Sequence, residues 1–326
     1  MIRYPGFEIF DLHENALMRS CVDPREAYIP CFPSYKRKKT LAGYVEICSV
    51  LKLVRYEPTD DGDVVYYYEM TDRHVAIKVC QVENMNSLQR TNKEDPMKEM
   101  SIMQLLGADL PNVGTCIEVL YVPNDGDDES CCHIILPFLG GGDLHGYVRS
   151  RSGPMTEDEA KAIFRDIMTG LNGLHERGIC HHDLSPSNIM IHHGLAYIID
   201  FGMALRVPST RYGRSCLIKP DGAYGKLPYM APEIYQSNVE YDPEAIDVWS
   251  AGIILWDMVS GLGSYHVPHV TDKVFKAMTE ILPKCCQKWS VQLSDDCLDL
   301  LQKMIQVDDT MRFTIHEVLA HPWMRQ

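Results

Sequence analysis

The spacing of apolar residues along this chain changes at the triplet Gly140-Gly141-Gly142. Before the triplet, short runs rich in β-branched and aromatic residues predict strands, as in "VVYYYEM" (64–70) and "HVAIKVC" (74–80). After it, apolar residues recur every three to four positions, which is the period of an amphipathic helix. The sequence therefore predicts an α+β chain with a β-rich first part and a helical second part.

In the first part, the polar stretch Thr71-Asp72-Arg73 separates the two runs just quoted, which predicts a β-hairpin. Apolar spacing predicts a helix over about 96–106. Further strands are expected at 113–122 and 131–138.

In the second part, Thr156 and Glu159 form a capping box that predicts the start of a helix. The apolar face behind it continues until Gly178, a typical helix-ending residue. Two short strands are expected in "NIMI" and "AYIID". Periodicity predicts further helices over these segments: "AIDVWSAGIILWDMVSG", about 271–281, 294–306 and 314–320.

The prolines of residues 1–43 interrupt any sustained periodicity, so this segment is expected to be a partly irregular N-terminal extension. A single two-lobed domain is expected over residues 44–324, with a first lobe at about 44–138 and a second at about 143–324.

Composition limits the classes of partner. The formal net charge of −14 argues against nucleic-acid binding, because phosphate backbones attract the opposite sign. The N-terminus lacks the apolar core of a signal peptide, and no run reaches transmembrane length, so we expect an intracellular protein, cytoplasmic or nuclear, without membrane contact. None of the 12 cysteines lies in a C-x-x-C pair, which disfavours a zinc site.

Four short motifs follow in a fixed order: "VAIK" (75–78), "HHDLSPSN" (181–188), "DFG" (200–202) and "APE" (231–233). In this order, and on these predicted elements, they resemble the eukaryotic protein kinase family over about residues 44–324. The closing "EVLAHPWM" resembles the calmodulin-dependent-kinase-like group of serine/threonine kinases. The resemblance implies a two-lobed protein-kinase-like fold, with a small β-rich N-lobe and a larger helical C-lobe.

The resemblance also implies a reaction, the transfer of the γ-phosphoryl group of ATP to serine or threonine hydroxyls of a protein substrate. Lys78 and its ion-pair partner Glu99 would hold the phosphates, and Asp183 would orient the acceptor hydroxyl and accept its proton. Asn188 and Asp200 would bind Mg²⁺, which takes a few protein oxygens and completes its shell with phosphate and water.

The resemblance assigns further residues to the adenosine and to the framework. The residues implied around the adenosine are Val64, Ala76, Leu136, Pro137, Leu139, Asp143 and Met190. For Asp143, capping of the next helix is an equally good interpretation. Asp247 is expected to anchor the catalytic turn from a buried position, and Glu233 is expected to pair with Arg312.

The glycine-rich phosphate loop of the family is largely missing. The segment "EPTDDGDV" (57–64) occupies its place and keeps only Gly62. Glycines allow backbone N–H groups to approach phosphate closely, whereas carboxylates repel it. We therefore expect weak ATP binding.

His182 replaces the arginine that usually precedes the catalytic aspartate. An arginine can hold a phosphorylated loop through a bidentate pair, and a partly protonated histidine does this less well. We therefore expect activity without activation-loop phosphorylation, although that loop contains Ser209, Thr210, Tyr212 and Ser215.

Ser185 and Lys226 occupy positions where serine/threonine kinases usually place a lysine and a threonine, respectively. One hypothesis is a swap across a single contact, so that an ammonium group still reaches the phosphoryl site. The alternative is that Lys226 points to solvent. Two other functions also remain open: a pseudokinase that binds or regulates without transfer, and a kinase-like fold acting on a small molecule.

Overall fold

The computed structural model describes much of the 326-residue chain. The described residues are 18–19, 21–23, 25–31, 38–40, 42–58, 64–82, 96–107, 110–122, 130–207, 217–219, 225–236 and 240–325. Contacts divide the chain into two units, one of residues 1–104 and 115–138 and the other of residues 105–114 and 139–326. The first unit is rich in strands and the second in helices, which confirms the α+β prediction.

The first unit is built on one antiparallel sheet with the strand order β1-β2-β4-β5-β7-β6, in which β3 also pairs with β4. The strands are β1 (Met18–Arg19), β2 (Glu26–Pro30), β3 (Lys38–Lys39), β4 (Gly43–Pro58), β5 (Val64–Gln81), β6 (Glu118–Val122) and β7 (Cys131–Pro137). Three of these strands precede residue 43, so part of the expected extension belongs to the sheet. The domain boundary at residue 44 stays a prediction.

The predicted hairpin at Thr71–Arg73 is wrong, because β5 continues through this stretch as one strand of 18 residues. The ladder with β4 shifts register between Ser49 and Leu51, so Thr71–Arg73 together lie opposite Val50. The Thr71 hydroxyl donates a hydrogen bond to the Val50 carbonyl at 2.6 Å. A bulge of this kind accommodates extra polar residues without a turn.

The strand predicted over 113–122 is shorter than expected, since only Glu118–Val122 belongs to β6. Val113 and Gly114, at the start of the predicted strand, belong to the second unit, where the Gly114 amide donates to the Ile198 carbonyl at 2.7 Å. The predicted helix is confirmed as α1 (Pro96–Leu106).

The core of the strand-rich unit lies on one face of this sheet. Alternate residues of β5, Val75, Ile77 and Val79, are buried there together with Tyr28 of β2 and Ile135 of β7. Because side chains alternate across a strand, this burial turns the residues between them, including Lys78, to the other face.

The second unit contains the helices α2 (Leu144–Arg149), α3 (Glu157–His175), α4 (Pro232–Gln236), α5 (Pro243–Ser260), α6 (Lys273–Glu280), α7 (Leu282–Trp289), α8 (Asp295–Met304), α9 (Ile315–Ala320) and α10 (Pro322–Arg325). Its short strands are β8 (Ile179–Cys180), β9 (Ile189–His192), β10 (Leu195–Ile198) and β11 (Leu205–Arg206). The sequence did not predict the short helices α2, α4 and α10, or the separate helix α7, which carries Pro283 in its first turn.

Helix α3 has the predicted start. The Glu159 amide donates to the Thr156 hydroxyl at 3.3 Å, and the Thr156 amide donates to the Glu159 carboxylate at 2.9 Å. The helix ends at His175, three residues before Gly178, whose φ of +67° places it in the left-handed region. This helix and the buried helix α5 both contact β8, at the start of the segment 179–188.

Candidate functional site

Lys78 and Glu99 form a buried ion pair in the first unit. The Lys78 Nζ lies 2.6 Å from the Glu99 Oε2, and the side chains are 11% and 4% exposed, respectively. Lys78 is held in β5 between Val45 of β4 and Ile134 of β7, and Glu99 is in the first turn of α1. Removing one partner of a buried pair leaves an uncompensated charge, at a cost of roughly 3–5 kcal/mol.

In the second unit, Asp247 of α5 holds the turn that carries Asp183. Its carboxylate accepts hydrogen bonds from the backbone amides of His181 and His182, at 2.7 and 2.9 Å. It also lies 2.9 Å from the His175 Nε2 at the end of α3. These contacts confirm the predicted anchor.

The Asp247 side chain is fully buried, and burial alone would raise the pKa of its carboxyl. The hydrogen bond from His175 and the neighbouring histidine charges outweigh burial and lower that pKa below its ordinary value. Asp247 is therefore a carboxylate that accepts hydrogen bonds from several donors at once.

The Asp183 carboxylate is oriented by Asn188. The Asn188 Nδ2 donates to the Asp183 backbone carbonyl at 2.8 Å and to the Asp183 Oδ2 at 2.9 Å. The Asp183 Oδ1 is buried and has no hydrogen-bond partner among the described residues. Because the side-chain nitrogen of Asn188 donates to Asp183, the side-chain oxygen of Asn188 is the atom left to bind a cation.

Asn188 and Asp200 are brought together by the β9–β10 ladder. The ladder pairs Ile189 with Ile198, and one step further the Ile199 amide donates to the Asn188 carbonyl at 2.9 Å. Asp200 follows with a φ of +68°, a left-handed conformation that is costly for a residue with a side chain. Such strain is often kept at functional positions.

These two side chains suit a divalent cation. An amide oxygen and a carboxylate are hard oxygen ligands, which is the donor set that Mg²⁺ prefers when phosphate completes its coordination. Within the described residues, the candidate ligands of the second unit therefore fit the predicted metal.

Lys226 directly contacts the turn that carries Asp183. Its Nζ lies 2.9 Å from the Asp183 Oδ2 and 3.0 Å from the Ser185 hydroxyl. The alternative in which this side chain points away into solvent is therefore wrong. The preceding residue, Gly225, has a φ of +85°, and a Cβ there would lie 3.0 Å from the His182 carbonyl oxygen. Glycine is needed for this close approach.

The residues predicted around the adenosine fall into two groups. In the first unit, Ala76 faces Leu136 across the β5–β7 ladder and Pro137 ends β7, while Val64 begins β5. In the second unit the residues are Leu139, Asp143 and Met190. Their contact with a nucleotide stays a prediction.

Asp143 has a structural role in the second unit. Its carboxylate accepts a hydrogen bond from the Gly146 amide at 2.7 Å and so caps α2. Asp143 also bridges to Met190 of β9. The capping interpretation is confirmed, and a ribose contact stays a prediction.

His182 is 4% exposed and has a φ of +64°. Its ring packs against Tyr241, with the ring centroids 5.8 Å apart. The four hydroxyl-bearing residues of the predicted activation loop lie outside the described residues, as does most of the segment that replaces the glycine-rich loop, so both expectations stay predictions.

Two further features complete this unit. Arg312 forms the predicted bidentate pair with Glu233, at 2.7 and 3.1 Å. The Tyr229 hydroxyl donates to the Asp257 carboxylate at 2.6 Å, a contact that the sequence did not suggest. The two residues are 28 positions apart and belong to no shared spacing pattern, so only the fold reveals them.

None of the described helices combines the length and the apolar character needed to cross a lipid bilayer.

Comparison with known proteins agrees with this geometry. A family profile described as "Protein kinase domain" matches residues 61–324. Sperm motility kinase 2B of Mus musculus is 30% identical over 263 residues, which cover 79% of this chain and 48% of that protein. Serine/threonine-protein kinase PEPKR2 of Arabidopsis thaliana is 31% identical over 237 residues, which cover 72% of this chain and 46% of that protein.

The SNF-related serine/threonine-protein kinase of Homo sapiens is 28% identical over 258 residues, which cover 78% of this chain and 30% of that protein. The chain thus spans less than half the length of these curated relatives. The match to the domain profile nevertheless covers most of the chain, and it includes all four motifs. The chain belongs to the protein kinase family.

Proposed function

We propose that this chain transfers the γ-phosphoryl group of ATP to serine or threonine hydroxyls of a protein substrate, with Mg²⁺ as cofactor. The observation that carries the proposal is the Asp183–Asn188 pair, in which an amide fixes one oxygen of the carboxylate in a hydrogen-bonded turn. The names of the related kinases support serine and threonine as acceptors.

Each residue has a defined part in this reaction. Lys78, held by Glu99, would bind phosphate oxygens, and Asn188 and Asp200 would hold Mg²⁺, which would supply positive charge that neutralises the phosphates. Asp183 orients the acceptor hydroxyl and accepts its proton. The acceptor oxygen forms a bond to the γ-phosphorus while the bond to the β,γ-bridging oxygen breaks, and ADP leaves with that electron pair.

The pseudokinase remains a second candidate, and one observation favours it. Lys226 and Asn188 both contact the Asp183 Oδ2, and the other carboxylate oxygen is buried. A carboxylate with one oxygen occupied and the other buried cannot accept a proton from a substrate until one of these contacts is broken. A chain that never makes this movement would bind partners without transferring phosphate.

A transfer assay separates the two candidates. Purified protein is incubated with labelled Mg-ATP and generic protein substrates, beside Asp183→Asn and the control Asp158→Asn, whose side chain is 97% exposed. We expect Asp183→Asn to lower transfer by about 10²–10⁴-fold, the usual contribution of a positioned base, and the control to match wild type. Equal transfer by wild type and Asp183→Asn would refute the enzymatic proposal.

A further inference from the structure

Lys226 belongs to a segment that is hydrogen-bonded to helix α5. The Tyr229 amide donates to the Lys226 carbonyl at 2.8 Å, which closes a tight turn. The Ser250 hydroxyl of α5 donates to the Tyr229 carbonyl at 2.9 Å, and Tyr229 in turn binds Asp257 of the same helix. Helix α5 also carries Asp247, so one buried element positions both Lys226 and the catalytic turn.

The ammonium group of Lys226 has three hydrogens, and the contacts to Asp183 and Ser185 use two of them. Ser185 is completely buried, which fixes one of these acceptors. One hydrogen is left for a further acceptor, and the Lys226 side chain is 44% exposed, so a ligand can reach it. An anion that binds beside Asp183 would come within reach of this group.

The charges around Asp183 indicate that a bound anion would need a compensating cation. The catalytic turn 181–188 contains no lysine or arginine, and Asp183 and Asp200 contribute negative charge nearby. A γ-phosphate beside two carboxylates is repelled unless cations compensate. Lys226 is the ammonium group that the structure places on this turn.

We propose that Lys226 binds the γ-phosphate of ATP and that Ser185 is a positioning residue that holds the Lys226 ammonium group in place. This inference rests on the proposed function. When the phosphate binds, Lys226 exchanges its contact with Asp183 for a phosphate oxygen and keeps its contact with Ser185. The exchange also frees the Asp183 Oδ2 from its cationic neighbour, so that the carboxylate becomes available to the acceptor hydroxyl.

The test compares the affinities for Mg-ATP and Mg-ADP, which differ by the γ-phosphate alone, measured by calorimetry or by thermal-shift titration. Lys226→Met is expected to reduce the ratio of ATP to ADP affinity by about tenfold, as for the loss of one charge-assisted hydrogen bond. Lys226→Arg keeps the charge and should retain most of the ratio. The matched control is Lys219→Met, because Lys219 is 83% exposed and its salt bridge with Glu240 is long, at 3.8 Å.

A double-mutant cycle with Ser185→Ala tests the second contact. If Ser185 acts through Lys226, Ser185→Ala should lower the ATP to ADP ratio in wild type and have no further effect in Lys226→Met. Additive effects would overturn this part of the proposal. An unchanged ratio in Lys226→Met, or equal losses in Lys226→Met and Lys219→Met, would overturn the proposal as a whole.

These outcomes are distinct from failure of the proposed function. A wild-type protein that prefers ATP to ADP through Lys226 but transfers no phosphate would be a pseudokinase with the inferred phosphate contact. A wild-type protein that transfers phosphate while Lys226→Met keeps the ratio would be a kinase without it. A protein that binds neither nucleotide would refute both proposals.

Discussion

At the scale of single residues, the two buried aspartates of α5 show opposite behaviour. Asp247 accepts hydrogen bonds from several donors and is stabilised as a carboxylate. Asp257 accepts a hydrogen bond from the Tyr229 hydroxyl on its Oδ2, and the Asp257 Oδ1 is buried without a hydrogen-bond partner among the described residues. Burial therefore raises the pKa of Asp257 to about 6. The number of donors around each carboxylate accounts for the difference.

This raised pKa predicts a pH-dependent stability. Because the folded state favours the protonated form of Asp257, the contribution of this group to the free energy of unfolding is greatest below pH 4 and is lost as pH rises through about 6. Asp257→Asn keeps an acceptor for Tyr229 and cannot ionise. Between pH 5 and 7.5, wild type should lose about 1–2 kcal/mol of unfolding free energy relative to this variant.

Equilibrium denaturation of both proteins across that pH range provides the measurement, and only the pH-dependent part of the difference is used. A constant difference would arise from the buried amide of the variant and has no bearing on ionisation. The exposed Asp158→Asn serves as control and should show no such trend. Parallel curves for wild type and Asp257→Asn would contradict the raised pKa.

The contacts of single residues differ in how well the sequence predicts them. Motif positions predicted three sets of contacts, because each belongs to a pattern with a known structural role. These are the Lys78–Glu99 pair, the contacts of Asp247 and the Glu233–Arg312 pair. Lys226 was expected either to contact Ser185 or to point to solvent. Its contacts with Ser185 and Asp183 exclude the second alternative, while its reach to the phosphoryl site stays a proposal. No motif connects Tyr229 with Asp257, so this pair depends on how the segment 226–229 packs on α5.

At the scale of elements, the sequence predicted a helix or strand correctly where that segment itself contained both its start signal and its apolar pattern. Helix α3 carries its own capping box and a continuous apolar face, so its start was predictable to the residue. Strand β5 carries a polar interruption that is typical of a turn, but its long partner β4 absorbs that interruption in a bulge. Whether Thr71–Arg73 forms a turn or a bulge depends on the pairing with β4, and the local sequence carries no information about that pairing.

The capping box predicts the effect of one substitution. Thr156→Ala removes the hydroxyl that accepts the Glu159 amide and should lower the unfolding free energy by about 1 kcal/mol. Thr169→Ala is the matched control, since Thr169 lies on the exposed side of the same helix and its hydroxyl bonds to a carbonyl one turn earlier. That control should be neutral or slightly stabilising, because alanine is the better helix former. Equal losses in denaturation experiments would contradict the assigned cap.

At the scale of the whole molecule, the segment 21–30 is attached to the strand-rich unit at two places. Strand β2 pairs with β4 along its length. The buried Glu118 of β6 accepts hydrogen bonds from the Tyr28 hydroxyl at 2.6 Å and from the Cys21 amide at 2.7 Å. Tyr28 lies 90 positions from Glu118, so this attachment could not be predicted from proline content or periodicity.

Replacement of Tyr28 tests how much this attachment contributes. Tyr28 is 2% exposed, and Tyr28→Ala should lower the unfolding free energy by about 3–5 kcal/mol, as for other buried aromatic residues. Arg25→Ala, at an exposed position on the same segment, should change it by less than about 0.5 kcal/mol. Thermal and chemical denaturation provide the readout, and similar melting temperatures for both variants would contradict a stabilising role for the segment.

The bulged pairing of β4 with β5 has a practical consequence for preparing the protein. A recombinant fragment cut at residue 61, where similarity to the family profile begins, would contain β5 but neither β4 nor β2. The free edge of β5 could then pair with other copies, because unprotected strand edges promote aggregation. Expression boundaries are better placed upstream of residue 18, and insolubility of a shorter fragment should not be read as loss of catalytic capacity.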